Sequence, residues 1–155
     1  MKIFIAADHA GFELKGRLIP YIEQLGHEVE DCGAFTYDPA DDYPDFITAC
    51  ARNVAAHPES RGIVIGGSGQ GEAMAANRVV GVRAAIYYGE PPRKQTDIQG
   101  KELSMVASMR EHNDANVLSL GARFLSEDEI HTAIQAFLTT PFSGDPRHVR
   151  RLGKF

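Results

Sequence analysis

The stretch that decides the fold is residues 61–77, RGIVIGGSGQGEAMAAN. Its apolar residues 63–65 are typical of a buried strand, and a helix-forming run begins at Glu72. The segment between them, residues 66–71, is rich in glycine. A strand, a glycine turn and a helix N-terminus that meet in this way turn several backbone N–H groups towards one point, which favours a bound anion. The sequence therefore predicts an anion site at the end of a central strand.

Two familiar nucleotide-binding motifs do not fit this glycine segment. The phosphate loop of nucleotide hydrolases needs a Lys after its last glycine, where this chain has Glu72. The dinucleotide fingerprint needs G-x-G-x-x-G spacing, whereas the glycines here stand at positions 66, 67, 69 and 71. Glu72 has two interpretations: a charge that complements the helix dipole, or a catalytic base beside the anion site.

The rest of the chain alternates apolar strands with amphipathic helices. Strands are predicted at residues 2–7, 27–31, 63–65, 82–88 and 117–120. Helices are predicted from apolar stripes at residues 14–25, 47–54, 72–77, 103–110 and 130–138, the last with a capping box of Ser126 and Glu129. This alternation predicts an α/β fold, a three-layer α/β/α domain around a Rossmann-like, five-stranded parallel sheet.

Composition limits the classes of function. A chain of 155 residues suits a single domain, residues 1–155, with a basic C-terminal segment at residues 144–155. The net charge of −5 argues against nucleic acid or a membrane as a partner. Cys32 and Cys50 have no CxxC spacing, and no signal peptide is apparent. We therefore expect a cytoplasmic protein.

Polar residues follow the predicted strands at the edge where ligands of parallel sheets collect. Asp8 and His9 come after the first strand, residues 66–72 after the third, and residues 121–123 after the fifth. Loops are generally polar, so position alone supports a site there only modestly.

Several short motifs, in their order and spacing, carry a resemblance to a known family. They are residues 7–11 (ADHAG), 42–45 (DYPD), 66–72 (GGSGQGE), 75–77 (AAN), 81–84 (GVRA) and 111–116 (EHNDAN), with Arg147, His148 and Arg151. With these motifs the chain resembles the ribose-5-phosphate isomerase type B family, which also includes galactose-6-phosphate and allose-6-phosphate isomerases. The resemblance runs from residue 1 to about residue 151.

The resemblance implies an aldose–ketose isomerase that acts on a sugar phosphate through an enediolate, without metal or organic cofactor. D-ribose 5-phosphate is the expected substrate, and a hexose 6-phosphate of galactose or allose is the alternative. A base must move a proton between C2 and C1, and hydrogen-bond donors must stabilise the enediolate. Glu72 is the candidate base. The candidate anion hole is the set of N–H groups of Gly67, Ser68, Gly69, Gln70 and Gly71.

The family resemblance also implies roles for the remaining site residues. Asp8 handles protons on O1 and O2 with Ser68 nearby, His112 opens the sugar ring, and Asn113 binds substrate beside it. Tyr43 lines the sugar pocket. The phosphate is held by His9, Arg123, Arg147 and Arg151, which accounts for the basic C-terminal segment.

The chain departs from one branch of the family at the end of the third strand. Many members have a Cys there as the base, and this chain has Gly66. Others lack that Cys and carry Glu at the end of the glycine loop, the position of Glu72. The sequence therefore fits the branch that uses Glu.

The family also implies a homodimer, or a dimer of dimers, whose active sites are shared between subunits. His112 and Asn113 of one subunit then face Asp8 and Glu72 of the other. Residues 89–101 form a longer loop than the family pattern has, and we expect it to tune substrate choice or assembly.

Two alternatives of other classes remain at this point. A non-catalytic sugar-phosphate sensor would need the cations and the glycine loop but would have no use for Glu72, His112 and Asp8. A metal-dependent isomerase would need a ligand cluster, and no His, Asp or Glu spacing suggests one. The acidic residues at positions 38, 41, 42 and 45 lack the spacing of a calcium loop, so they are interpreted as a solvated acidic loop.

Overall fold

The computed structural model describes residues 1–93 and 95–155. In chain order these contain β1 (Lys2–Ala7), α1 (Phe12–Gln24), β2 (Glu28–Asp31), α2 (Tyr43–Ala56), β3 (Arg61–Gly66), α3 (Gln70–Ala76), β4 (Ala84–Tyr87), β5 (Gln95–Thr96), β6 (Glu102–Leu103), α4 (Met105–Asn113), β7 (Val117–Gly121), α5 (Glu127–Thr139) and α6 (Pro146–Leu152). Lys94, in the predicted long loop, lies outside the described residues.

The apolar strands form one parallel sheet in the order β2-β1-β3-β7-β4. The central strand β3 pairs with β1 on one side and with β7 on the other. Ala7 is opposite Ile65, and Gly66 is opposite Gly121, so β1, β3 and β7 end at the same edge. The predicted α/β fold with a five-stranded parallel sheet is confirmed.

Helices cover both faces of the sheet because successive strand residues point to opposite sides. Ile3 and Ile5 of β1 pack with the apolar faces of α1 and α5, while Phe4 and Ala6 pack with α2. The largest buried side chains come from the strands and from these helix stripes. None of the helices in residues 1–93 or 95–155 is both long and apolar enough to cross a membrane.

Three predicted boundaries need correction. Leu103 belongs to β6 and not to a helix, because α4 begins at Met105, where Ser104 caps the first turn. The predicted long loop is partly ordered as the antiparallel pair β5–β6. The helix after the glycine segment begins at Gln70, before Glu72, which places Glu72 in its first turn.

The basic C-terminal segment also contains structure that the apolar periodicity did not predict. Residues 146–152 form α6, which begins with Pro146 and is capped by the Asp145 side chain accepting from the Arg147 N–H. A proline at the start of a helix and a capping Asp are ordinary start signals. The helix is only seven residues long, so it shows little apolar periodicity.

Candidate active site

The ends of β1, β3 and β7 enclose an open cleft of about 450 Å³. It is lined by Asp8, His9, Ala10, Tyr43, Gly67, Ser68, Gly71, Glu72, Arg123 and Phe124. These residues come from the loops that follow the carboxyl ends of β1, β3 and β7 and from the first turns of α2 and α3. The structure therefore brings together, in one chain, eight of the residues that the sequence assigned to a site.

Asp8 is fixed in the cleft by the turn that follows β1. Its side chain is buried, and Oδ1 accepts hydrogen bonds from the N–H groups of Ala10 at 2.9 Å and Gly11 at 3.2 Å. A Cβ on Gly11 would lie 2.6 Å from the side chain of Ile65, so only glycine lets this turn pack against β3. The carboxylate is thus held in one orientation before any substrate arrives.

The glycine loop is held from the side of β4 and β7. The Ser119 hydroxyl donates to the Gly69 carbonyl at 2.6 Å, and the Tyr88 hydroxyl donates to the Ser68 carbonyl at 2.7 Å. Gly69 has φ +75°, a left-handed conformation that favours glycine. These contacts make the loop a rigid wall of the cleft.

Glu72 lies in the first turn of α3 with only 4% of its surface exposed. A Cβ built on Gly66 would overlap the Glu72 carboxylate. The Glu72 side chain therefore occupies the space that a side chain at position 66 would need. In the described part of the chain, Glu72 Oε2 is buried and has no hydrogen-bond partner.

The environment of Glu72 raises the pKa of its carboxyl group. Burial is the main cause, and the negative charge of Asp8 adds to it. The backbone N–H groups of Glu72 itself and of Gly69 oppose the rise by stabilising the charged form. Burial and these N–H groups thus act on the pKa in opposite directions, and burial prevails. A carboxylate with a raised pKa is a better proton acceptor.

The N–H groups predicted to form the anion hole do not all have the same surroundings. The Gly69 N–H stabilises Glu72, and the Gln70 N–H donates to Ser68 Oγ at 3.3 Å. Gly69 and Gln70 do not line the cleft, whereas Gly67, Ser68 and Gly71 do. Gly67, Ser68 and Gly71 are therefore the part of the predicted anion hole that borders the cleft, and anion binding by the loop stays a prediction.

His9 pairs with Asp41, which sequence analysis placed in a solvated acidic loop. His9 Nδ1 lies 2.7 Å from Asp41 Oδ1, and the Asp41 side chain is only 6% exposed. The interpretation as a solvated residue is therefore wrong for Asp41. No local sequence signal could find this pair, because His9 and Asp41 are 32 residues apart and meet only when β1 and β2 pair.

The group Asp8, His9 and Asp41 brings three potential metal-ligand atoms within 4.8 Å of one another. The hydrogen bond between His9 and Asp41 already uses one atom from each of these two residues. We therefore assign no metal to this group. The metal-free reaction predicted from the family stays a prediction, which chelation would test.

Arg123 and Tyr43 complete the cleft. The Arg123 backbone N–H donates to the Gly67 carbonyl at 3.2 Å, and a Cβ on Gly67 would lie 3.5 Å from the Arg123 guanidinium. A Cβ on Gly71 would lie 2.7 Å from the Tyr43 ring. Both side chains therefore lie directly against the glycine loop, and the exposed guanidinium supplies positive charge at its rim.

The remaining predicted site residues do not line this cleft; they are His112, Asn113, Arg147 and Arg151, on α4 and α6. The rings of His112 and His148 lie 4.5 Å apart, and Arg147 Nε donates to His148 Nε2 at 3.2 Å. The pKa of His112 is lowered by burial first and then by the charges of His148 and Arg147. Its imidazole is therefore neutral at neutral pH and able to accept a proton.

The residues that line the cleft and the residues around His112 lie at opposite ends of the strands of the sheet. Arg83, just before β4, donates from Nε to the Asn113 carbonyl, and the chain then enters β7 at Val117. His112 and Asn113 are therefore close to the amino-terminal ends of the strands, while Glu72 follows the carboxyl end of β3. The five residues of β7 alone separate these edges by about 16 Å at about 3.3 Å per residue.

Comparison with known proteins gives consistent matches over almost the whole chain. A family model described as Ribose/Galactose Isomerase matches residues 3–155. The ribose-5-phosphate isomerase B of Mycolicibacterium paratuberculosis is 44% identical over 152 residues, which cover 98% of this chain and 87% of the relative. The protein of the same name from Mycobacterium tuberculosis is 43% identical over 98% of this chain and 86% of the relative.

Solved structures also match over almost the whole chain. The ribose-5-phosphate isomerase B of Mycoplasma genitalium with bound ribulose-5-phosphate aligns with a TM-score of 0.86 and 37% identity, covering 99% of this chain and 92% of that one. The ribose-5-phosphate isomerase B of Clostridium thermocellum aligns with a TM-score of 0.86 and 38% identity, covering 99% and 94%.

Proposed function

The chain belongs to the Ribose/Galactose Isomerase family, and we propose that it interconverts D-ribose 5-phosphate and D-ribulose 5-phosphate as an aldose–ketose isomerase. The observation that carries this proposal is the buried Glu72 carboxylate, which faces the same cleft as Asp8 in a chain similar to isomerases over nearly its full length. A sugar-phosphate sensor would gain nothing from placing two carboxylates there, because they repel a phosphate. The sugar phosphate is therefore a substrate and not only a ligand.

Glu72 is the proposed base, as in the branch of the family that carries Glu in place of Cys. Support comes from the overlap between Gly66 and Glu72, because a side chain at position 66 and the present position of the Glu72 carboxylate exclude each other. Glu72 takes the proton from C2 of the open-chain aldose and returns it to C1 of the enediolate. Asp8, close enough to raise the pKa of Glu72, moves the proton between O2 and O1, with Ser68 beside it.

His112 is the proposed acid–base group for ring opening. Its neutral imidazole accepts the hydroxyl proton of the cyclic sugar and returns a proton to the ring oxygen, and Asn113 holds the sugar beside it. Because these two residues and Glu72 lie towards opposite edges of one chain's sheet, a single chain does not bring them together. We therefore propose a homodimer, or a dimer of dimers, in which His112 and Asn113 face the cleft of the other subunit.

The phosphate is proposed to bind between the rim of the cleft and the basic C-terminal segment, residues 144–155. His9 and Arg123 lie in the cleft, and Arg147 and Arg151 lie on α6, the helix whose His148 ring packs against His112. In the proposed dimer, His9 and Arg123 of one subunit and Arg147 and Arg151 of the other bind the same phosphate. We propose no cofactor, a single domain of residues 1–155 and a cytoplasmic location.

Arg147→Ala is expected to raise the KM for ribose 5-phosphate and to leave kcat nearly unchanged. One lost charge-assisted contact costs about 1.5–3 kcal/mol, which corresponds to about a tenfold or larger rise in KM. Steady-state kinetics measure the effect. Arg150→Ala is the matched control, because it removes the same charge from an exposed position of the same helix. Equal KM values for wild type and Arg147→Ala would remove Arg147 from the phosphate site.

A substrate panel tests the function itself. We expect isomerisation of ribose 5-phosphate, with much weaker turnover of galactose 6-phosphate and allose 6-phosphate. A preference for a hexose 6-phosphate would move the chain to the alternative substrate class of the same family. Binding of every sugar phosphate without isomerisation would contradict the proposed enzymatic function and support a sensor.

The proposed role of residues 89–101 in substrate choice or assembly stays a prediction. The Lys101 ammonium group at the end of this segment lies 2.6 Å from the Glu111 carboxylate, and Glu111 is next to His112 in the chain.

A further inference from the structure

Asp41, in the loop between β2 and α2, makes its side-chain hydrogen bonds with His9. Its Oδ1 accepts a hydrogen bond from the His9 backbone N–H at 3.2 Å and lies 2.7 Å from His9 Nδ1. A carboxylate only accepts hydrogen bonds, so Nδ1 carries the proton in this contact. Asp41 Oδ2 is buried and finds no hydrogen-bond partner within residues 1–93 and 95–155.

The orientation of the His9 ring follows from this contact. His9 lines the cleft, and its Nδ1 is taken up by Asp41, so the ring presents Nε2 to the cleft. In the described part of the chain, Nε2 makes no hydrogen bond of its own. We propose that Asp41 is a positioning residue, which turns the His9 imidazole so that Nε2 binds the phosphate of the substrate. This inference rests on the isomerase function proposed above.

The charges around His9 favour its doubly protonated form. The hydrogen bond to Asp41 is the main influence and raises the pKa of His9 above its ordinary value; partial burial lowers it, and the charges of Asp8 and Asp41 raise it again. Arg123, which follows β7, lowers it. The other titratable side chains that line the cleft are Tyr43 and Glu72.

The buried carboxylate gives this preference a physical reason. Burying an ionised Asp is costly unless a cation pairs with it, and His9 is the cation that contacts Asp41. The imidazolium then offers a charge-assisted N–H from Nε2 to a phosphate dianion. Because the pKa of His9 is raised, the imidazolium persists as pH rises past the ordinary value, and phosphate binding weakens only above the raised pKa.

Asp41→Asn tests the proposal. We expect the KM for ribose 5-phosphate to rise about tenfold at neutral pH, with kcat within about threefold of wild type. The pH at which KM begins to rise should move down, because His9 then loses its second proton closer to its ordinary pKa. Asp42→Asn is the matched control, since it removes the same charge from the next, exposed residue of the loop. Asp41→Glu, which keeps the charge, should retain more of both properties than Asp41→Asn.

An NMR titration of the His9 ring separates this inference from the proposed function, because it needs no turnover. The signal is assigned with His9→Gln, and inorganic phosphate serves as the ligand. In wild type we expect the His9 ring to titrate above the ordinary histidine pKa and its signal to shift when phosphate is added. In Asp41→Asn we expect a lower pKa and a smaller shift of the signal with phosphate.

An ordinary or lowered pKa of His9 in wild type would overturn the proposal, even if Asp41→Asn fails to fold. The proposal would also be overturned if Asp41→Asn had the wild-type pKa of His9 and the wild-type KM for ribose 5-phosphate. A wild type that binds phosphate through His9 but does not isomerise ribose 5-phosphate would contradict the proposed function alone.

Discussion

Glu72→Gln is expected to lower the turnover of ribose 5-phosphate by about 10²–10⁴, the usual range for loss of a general base, while KM stays close to that of wild type. The Gln side chain keeps the shape of Glu72 and some of its hydrogen bonding, but it does not accept the C2 proton. Exchange of that proton with deuterated solvent should be lost in parallel. Both quantities are measured on the same preparation, the first by steady-state kinetics and the second by NMR.

The structure makes unfolding a poor explanation for such a loss. Burial raises the pKa of Glu72, so the folded protein holds its proton more tightly than the unfolded chain does. The ionised carboxylate therefore destabilises the fold at neutral pH, and replacing it by Gln removes that cost. The thermal midpoint of Glu72→Gln at neutral pH should equal or exceed that of wild type.

A matched control shows whether a loss of turnover is specific to position 72. Glu23→Gln makes the same chemical change at an exposed position of α1 and should leave turnover unchanged. If Glu72→Gln kept near wild-type turnover and proton exchange, Glu72 would only complement the dipole of α3. Asp8, the other buried carboxylate of the cleft, or Ser68 would then have to be the base.

Local patterns predicted the fold and the residues of the cleft that lie next to strand ends. Alternating apolar strands and helices predicted the parallel sheet, and residues that follow the strands, such as Asp8 and Glu72, met at its edge as expected. The same reasoning wrongly placed Leu103 in a helix. A single apolar residue at helical spacing is equally compatible with a short strand that precedes the helix. The pairing of Leu103 with Gln95 in the other strand of the hairpin decides the structure there, and apolar periodicity within one segment does not reveal a strand partner.

The role of Asp41 shows a second limit of sequence reasoning. Asp38, Asp41 and Asp42 look alike in sequence, and each is typical of a turn. Asp38 does serve the turn, since its Oδ1 accepts from the Ala40 N–H at 2.9 Å, whereas Asp41 is buried against His9. What distinguishes them is which side chain the loop turns inwards, and that depends on tertiary packing.

The residues proposed for catalysis lie at opposite ends of the strands of one chain, which bears on the proposed assembly. Glu72 and Asp8 belong to the cleft, whereas His112 belongs to the cluster on α4 and α6. If ring opening and proton transfer act on one bound sugar, the second group has to come from another chain. In a C2 dimer this exchange is reciprocal, so each dimer has two such sites, and each site uses both subunits.

Mixing two inactive variants tests this arrangement. His112→Ala and Glu72→Gln chains, each inactive alone, are exchanged by mild denaturation and refolding. Random pairing makes half of the dimers mixed, and each mixed dimer has one site with both Glu72 and His112, so about one quarter of wild-type activity should return. The control mixture of Asp8→Asn with Glu72→Gln should stay inactive, because both changes lie in the cleft of one chain and every cleft then carries one of them. Recovery in the control, or mixed dimers of the first pair that stay inactive, would contradict a shared site.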